Sequence, residues 1–297
     1  MYIAIVGDLH GHLRLMFAIV GRWQRESGHR VSLILQVGDL GTFTSDAKLD
    51  QATRRHAERD PEELGFGEFA GEHPPVTLLD PRPPLVFIPG NHEDFDYLDL
   101  CARSAPAGES VYSVSADRRI CALRSGRVWA FREDGQTISV GGVSGIATRP
   151  KRGRPAGMYL RDEDVLVLAA RDRRSLDILI SHDAPEGLWA DVGRGQGSAA
   201  LRLIVEEVAP RFAFFGHYNR NGEWGLGTTR VIGMSDCGYD HRRGRQVDRH
   251  GVGILAWPAD GDPSFDWIAE PWLLTSTRDT WTHWGRIPAR AHRTRKP

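Results

Sequence analysis

Five times along the chain an apolar run of strand length stops at a glycine or small polar residue and is followed at once by Asp, Asn or His. Tyr2 to Val6 leads into Gly7-Asp8-Leu9-His10-Gly11, Leu33 to Val37 into Gly38-Asp39, and Leu85 to Ile88 into Pro89-Gly90-Asn91-His92-Glu93. Leu176 to Ile180 leads into Ser181-His182-Asp183, and Phe212 to Phe215 into Gly216-His217-Tyr218-Asn219. Runs that are apolar without alternation suit central parallel strands, because both faces of such a sheet are covered. A single polar ending would be an ordinary turn or capping residue. Repeated at five strand ends, it points to one site where those ends converge.

The segments between the runs fit this frame. Leu13, Met16, Phe17, Val20 and Trp23 recur at helical spacing and Ser27-Gly28 ends the pattern, so Leu13 to Glu26 is a helix linking two strands in a βαβ unit. Asp46 to Ala70 is charge-rich and closes on Phe66-Gly67-Glu68-Phe69. It reads as an inserted helical excursion, foremost a solvated surface helix, with a substrate-facing lid as the alternative. Pro74-Pro75, Pro81 and Pro83-Pro84 make a stiff return. Val111 to Val114, Ile120 to Leu123, Val128 to Phe131 and Thr137 to Gly141 suggest a second, antiparallel sheet. Asp162 to Arg171 and Ser198 to Val208 are helical. Short strands are expected from Thr229 to Val252, with Gly253 to Trp257 pairing onto them. Pro150-Lys151-Arg152-Gly153-Arg154-Pro155 is a basic loop, read first as solvated, with contact to a polyanionic substrate as the alternative.

At 297 residues the chain can bury a large core, and 38 basic against 39 acidic residues give no general grip on nucleic acid. Cys101, Cys121 and Cys237 form neither a zinc-knuckle nor a disulfide pattern, which fits a reducing compartment. The first strand starts almost at once without a charged-then-apolar leader, and no apolar run approaches membrane-spanning length. A cytoplasmic protein without membrane partners is the expectation.

A mixed Asp, Asn and His donor set lacking Cys suits Mn, Fe, Zn or Co better than a closed structural zinc site. Asp8, His10, Asp39, Asn91, His182 and His217 are too many for one cation. Two divalent ions about 4 Å apart, bridged by one carboxylate, would use them economically and would clamp phosphorus for in-line attack by a bridging hydroxide. His92, on the turn after Asn91, would stand at the rim and protonate the departing alkoxide.

With these residues in place, the chain resembles the calcineurin-like metallophosphoesterases. Their blocks appear in order as Asp8-Leu9-His10, Gly38-Asp39, Gly90-Asn91-His92-Glu93, His182 and Gly216-His217-Tyr218-Asn219. The resemblance implies an α/β (α+β) fold with two facing mixed β-sheets flanked by helices, a four-layer sandwich. It also implies that Asp8 and His10 hold a first metal, Asp39 bridges, Asn91, His182 and His217 hold a second, and His92 donates the proton. Asn219 stands where many members place a metal-binding His, so the first metal loses an imidazole or gains a weaker amide oxygen. Gly141 to Ile146, Ser181-His182-Asp183-Ala184-Pro185, the Ser198 helix and the placement of the excursion resemble the RNA lariat-debranching branch, although Asp8 stands where that branch typically carries Cys. Phosphoprotein phosphatases fit less well, because no Asp-Arg-Gly follows Asp39.

The resulting expectation is a dinuclear phosphoesterase, a diesterase in preference to a monoesterase, acting on a phosphate ester such as a nucleotide or nucleic acid. A degenerate phosphate-binding protein is the competing class. Residues 1–257 would form the catalytic domain, with 44–80 inserted, and 258–297 a C-terminal extension with a poorly ordered basic end. His12 is expected at the surface. Glu93 and Asp183 are expected either to orient imidazoles or to be surface carboxylates, His241 and His250 to lie in a solvated basic segment, with phosphate contact as the alternative, and Trp267, Trp272, Trp281 and Trp284 to pack over the core in preference to stacking on bases.

Overall fold

The computed structural model describes residues 1–49, 51–58, 60–189, 196–240 and 246–286. His241 to Arg245 and the basic end at 287–297, both subjects of the sequence reading, lie outside these described residues. In chain order the elements are β1 (Tyr2–Val6), α1 (Leu13–Ser27), β2 (Val31–Gln36), α2 (Gln51–Ala57), α3 (Phe66–Ala70), β3 (Leu85–Phe87), α4 (Phe95–Ser104), β4 (Val111–Ser113) and β5 (Ile120–Leu123). They continue as β6 (Val128–Glu133), β7 (Gln136–Val143), α5 (Asp162–Ala169), β8 (Ile178–Ser181), α6 (Ala199–Val208), β9 (Phe212–Phe215), β10 (Gly222–Leu226) and β11 (Thr229–Gly233). The last are β12 (Tyr239–Asp240), β13 (Gln246–Val247), β14 (Val252–Ala256), β15 (Ser264–Trp267) and α7 (Pro271–Leu274).

Two mixed sheets carry the fold. One runs β15-β14-β1-β2-β3-β5-β4, the other β10-β11-β9-β8-β7-β6, and β12 pairs with β13 as a separate ribbon. The sheets are parallel at their centres, through β1, β2, β3 and β5 in the first and β7, β8, β9 and β11 in the second. Strand periodicity builds the layers. Ile3, Ile5, Leu33, Leu35, Ile178, Ile180, Phe212 and Phe214 share one core cluster between the sheets. Their neighbours in sequence face outward: Ala4, Val6 and Ile34 join α1 and α4 in a second cluster, and Leu179, Ala213 and Phe215 join α5 and α6 in a third. The order is therefore helices, sheet, sheet, helices. Each large side chain buried this way contributes about 1.5–3 kcal/mol relative to exposure.

Local signals set the helix ends. Gly28, at φ 75°, closes α1 in the left-handed conformation. Ser198 caps α6 by accepting from Leu201 N–H, and Asp94 caps α4 by accepting from Tyr97 N–H. No helix among the described residues is long and apolar enough to cross a membrane.

Two sequence expectations are corrected here. The four short runs after residue 110 do not share one antiparallel sheet, because β5 pairs in parallel with β3 and takes β4 with it into the first sheet. Only β6 and β7 enter the second sheet. Local pattern favours the nearest neighbour, whereas β3 already offered an open edge. Likewise Gly253 to Trp257 does not pair with the short strands between Thr229 and Val252; β14 lies antiparallel to both β1 and β15.

The C-terminal residues pack as a strap. Leu273, Trp281 and Trp284 enter the α1-side core, and the Arg22 guanidinium stacks 4.7 Å over the Trp272 ring.

Candidate metal centre

The ends of β1, β2 and β3 in one sheet and of β8 and β9 in the other meet at a single edge, and each delivers side chains to it. Asp8, Asp39, Asn91 and His182 are buried there, with His182 at 0% exposure. Asp39, His182 and His217 present potential ligand atoms all within 4.8 Å of one another, and so do Asp8, His10 and Asp39. The two groups share Asp39. Asn91 Oδ1 lies 3.0 Å from His182 Nε2, which places the amide oxygen beside the group containing His182. The described donors are nitrogen and oxygen only, as borderline divalent cations accept.

The backbone is shaped to bring these groups together. His10, Asp39, His217 and Asn219 all have positive φ, between 41° and 67°, a conformation that costs a non-glycine residue free energy and clusters at functional sites. The preceding glycines leave the space the ligands occupy. A Cβ on Gly38 would overlap the His182 ring, one on Gly90 the Asp39 carboxylate, and one on Gly216 the Asp8 carboxylate. Gly90→Ala is accordingly expected to destabilise the fold by about 1–3 kcal/mol and to weaken Mn²⁺ binding. Unchanged denaturation and an unchanged binding isotherm would contradict the assigned role of Gly90.

Hydrogen bonds orient both carboxylates. Asn91 N–H and His92 N–H donate to Asp39 Oδ1 at 2.6 Å each, and His217 N–H donates to Asp8 Oδ2 at 3.0 Å. Both oxygens of Glu93 accept from the Leu40 to Thr42 turn, from Leu40 N–H at 2.8 Å, Thr42 N–H at 2.9 Å and the Thr42 hydroxyl at 2.8 Å. Glu93 thus braces the Asp39 loop and does not orient an imidazole, as the sequence reading had it. Asp183 is corrected in the same way: it accepts from the Tyr218 hydroxyl, Ala147 N–H and Ala184 N–H.

Electrostatics divide the cluster. Burial pushes the His182 imidazole toward neutrality, but Asp39 at 3.3 Å and Asp8 at 3.8 Å overcome this and hold its pKa up at about 10. Burial also opposes ionisation of Asp39, yet His182 holds that carboxyl far below the usual range; Asp8 is pushed up by burial. His10 and His217 are lowered to about 4, by burial first, and so present neutral nitrogens. In the metal-free protein the raised His182 pKa contributes stability that is full below the ordinary histidine value and lost as pH rises through about 10. A cation must displace that proton. Mn²⁺ affinity should therefore rise with pH between 6 and 8, by up to about tenfold per unit for each proton displaced. Binding titrations at several pH values check this, and a pH-independent affinity would contradict it.

A cavity of about 920 Å³ opens beside the centre. Its lining includes Asp8, His10, Asp39, His92, His217 and Asn219. The His92 ring stands edge-on to His10 at 5.6 Å, and its Nδ1 lies 3.5 Å from the Thr53 hydroxyl of α2. Asn219 Oδ1 accepts from Asp236 N–H at 3.3 Å.

Thr53, His56, Asp60 and Glu63 also line this cavity, so the excursion faces it and is not simply a solvated surface helix. His12 is buried, with Nδ1 2.8 Å from the Leu9 carbonyl oxygen and Nε2 3.4 Å from Asp60, and this overturns its expected surface position. The left-handed turn at Gly11 folds it under the excursion. Asp236 was missed, although Val231 to Met234 followed by Ser235-Asp236 repeats the same apolar-then-acid pattern; its pKa is raised to about 6, by burial first and then by Asp248. Tyr239, Asn221 and Asp248 carried no comparable signal. His250 packs edge-on against Trp267, with ring centroids 5.6 Å apart.

Comparison with known proteins bears on this geometry. A family model described as calcineurin-like phosphoesterase matches residues 1–220. Lariat debranching enzyme from Arabidopsis thaliana is 25% identical over 248 residues, 73% of this chain and 54% of that protein. Lariat debranching enzyme from Entamoeba histolytica is 23% identical over 266 residues, 80% of this chain and 69% of the relative. The chain thus spans about half the length of the Arabidopsis relative. Among solved structures, GAP50, the anchor in the inner membrane complex of Plasmodium, aligns over 90% of this chain and 84% of its own, with a TM-score of 0.51 at 10% identity, a likeness of fold.

Proposed function

The chain belongs to the calcineurin-like phosphoesterase family, hydrolases of phosphate esters that use divalent metals, and from that premise we propose that it is a dinuclear phosphodiesterase. The observation that carries the reading is the sharing of Asp39 between two donor groups. Asp8, His10 and Asp39 would hold one cation, and Asp39, Asn91, His182 and His217 the other. The chemistry of these donors admits Mn, Fe, Zn or Co. When bound, such a pair supplies Lewis acidity toward phosphoryl oxygens and lowers the pKa of water.

The chain's own residues do the rest. Asn91 N–H and His92 N–H fix the Asp39 carboxylate, and Glu93 fixes the loop behind it, so the centre does not have to rearrange as charge develops. His92 borders the cavity and would give its proton to the departing oxygen. Residues 1–257 would form the catalytic domain, with the insertion at 44–80 supplying Thr53 and His56 to the wall of the cavity.

Preference for a diester rests on the similarity to proteins named lariat debranching enzymes. Asp8, in place of the Cys typical of that branch, keeps an oxygen donor at the first metal. The test is hydrolysis of bis(nitrophenyl) phosphate and nitrophenyl phosphate by metal-stripped protein supplied with Mn²⁺. The diester should be favoured in kcat/KM by about tenfold or more, equivalent to at least about 1.4 kcal/mol in the barrier. Faster monoester turnover would overturn the preference.

A further inference from the structure

The basic loop after β7 plays no part in the centre described above, yet it is tethered to it at three points. Its first residues hold the turns that carry the candidate ligands: Gly145 N–H donates to the Pro89 carbonyl at 3.0 Å, and Ala147 N–H donates to Asp183 Oδ2 at 2.7 Å. Pro89 is two residues before Asn91, and Asp183 follows His182. The returning strand closes the neck of the loop, with Ile146 N–H donating to Met158 O and Leu160 N–H to Ile146 O, each at 3.0 Å. Gly157 lies so close to the Phe95 ring that a Cβ there would overlap it. Because β7 and β8 are parallel, the loop rises from the same edge as His182. The structure thus sets a loop of fixed base beside the turn bearing Asn91 and His92.

Arg149, Lys151, Arg152 and Arg154 lie on this loop, all exposed, and none makes an ion pair or side-chain hydrogen bond with a described residue. A chain of net charge −1 that gathers four cations on one loop based beside the turns of the candidate centre concentrates positive potential on that side of it.

We infer that Arg149, Lys151, Arg152 and Arg154 form a phosphate-binding rim that engages the backbone of a single-stranded nucleic acid on the leaving-group side of the centre. The inference rests on the proposed phosphodiesterase reading and extends it to the substrate class. The leaving-group side follows from the loop's attachment next to His92, the residue assigned to protonate the departing oxygen. A single strand is implied because Asp39 and His182 are buried, so a scissile phosphate must come away from its neighbours to reach them. Arginine's planar fork suits phosphate oxygens. The run Arg149 to Pro155 carries no aromatic or large aliphatic side chain to enter a bilayer, which disfavours an anionic membrane as the partner.

The experiment follows binding of a labelled short single-stranded RNA by fluorescence anisotropy, and in parallel the turnover of bis(nitrophenyl) phosphate. Wild type is compared with Arg152→Ala/Arg154→Ala. For four phosphate contacts, affinity should fall roughly 50-fold between about 50 mM and about 200 mM salt. The double variant, left with two, should bind less tightly and lose only about sevenfold over the same range. Its KM and kcat for the aryl diester should match wild type. RNA binding without salt dependence, or an unchanged salt slope in the variant, would overturn the inference. So would binding to phosphatidylserine vesicles in place of RNA, or an equal loss on the aryl diester. Absence of aryl diester turnover in wild type would instead count against the phosphodiesterase reading, and leaves the binding measurement able to decide the rim on its own.

Discussion

Asp39→Asn should abolish metal binding and turnover together. The substitution keeps an oxygen to accept from Asn91 N–H and His92 N–H but removes the negative charge shared by both donor groups. It also strips the buried His182 imidazolium of the nearer of its two carboxylate partners, 3.3 Å away. Breaking a buried pair by removing one member costs about 3–5 kcal/mol of stability in the metal-free protein; separately, loss of the anionic oxygen shared by both donor groups removes Mn²⁺ binding, with diester hydrolysis falling in parallel. Metal analysis after dialysis and circular dichroism on the same sample separate loss of metal from loss of fold. An Asp39→Asn protein that retains metal and activity would remove Asp39 from the bridging position.

His92→Ala should have the opposite signature. No ligand assignment includes His92, so metal content should be unchanged. General acid catalysis is worth about 10²–10⁴-fold, and that loss should appear on an alkyl diester, whose departing alkoxide needs a proton. A nitrophenyl diester, whose leaving group departs as a stable anion, should lose less than about tenfold. Plotting rate against leaving-group pKa for both proteins reads this directly. An unaffected alkyl ester would show that the proton comes from elsewhere.

Much of the architecture was legible because the strands that matter are covered on both faces. Tyr2 to Val6 and Phe212 to Phe215 must be apolar at every position, and such runs stand out against a chain that is otherwise rich in charge. The candidate centre was legible for a related reason: strand ends are where the chain turns, and five turns carrying donors had no other common explanation. What escaped was long-range. The parallel pairing of β5 with β3, and of β14 with a first strand some 250 residues away, leaves no trace in local periodicity. His12 and Asp60 look like surface residues, and their burial exists only because the excursion folds back over Gly11. Glu93 was recognised as a supporting residue, yet its partners are backbone N–H groups of the Leu40 to Thr42 turn, which sequence spacing does not reveal.

Asn219 joins the two halves of this comparison. The sequence placed it at a position many relatives give to histidine, and the structure engages its amide oxygen with Asp236 N–H. With Asp8, His10 and Asp39 as the only protein donors proposed for the first cation, weaker occupancy is expected there than at the group containing His182. Mn²⁺ should accordingly bind in two steps, the tighter one at the group with more donors.

The most direct test of the shared Asp39 is a stoichiometric titration of metal-stripped protein with Mn²⁺, reading bound metal, the electron paramagnetic resonance spectrum and diester turnover on the same samples. Two equivalents, a spectrum showing exchange coupling between the ions, and turnover that rises with the second equivalent are the predicted result. Saturation at one uncoupled equivalent, or full turnover before the second ion binds, would contradict a dinuclear centre.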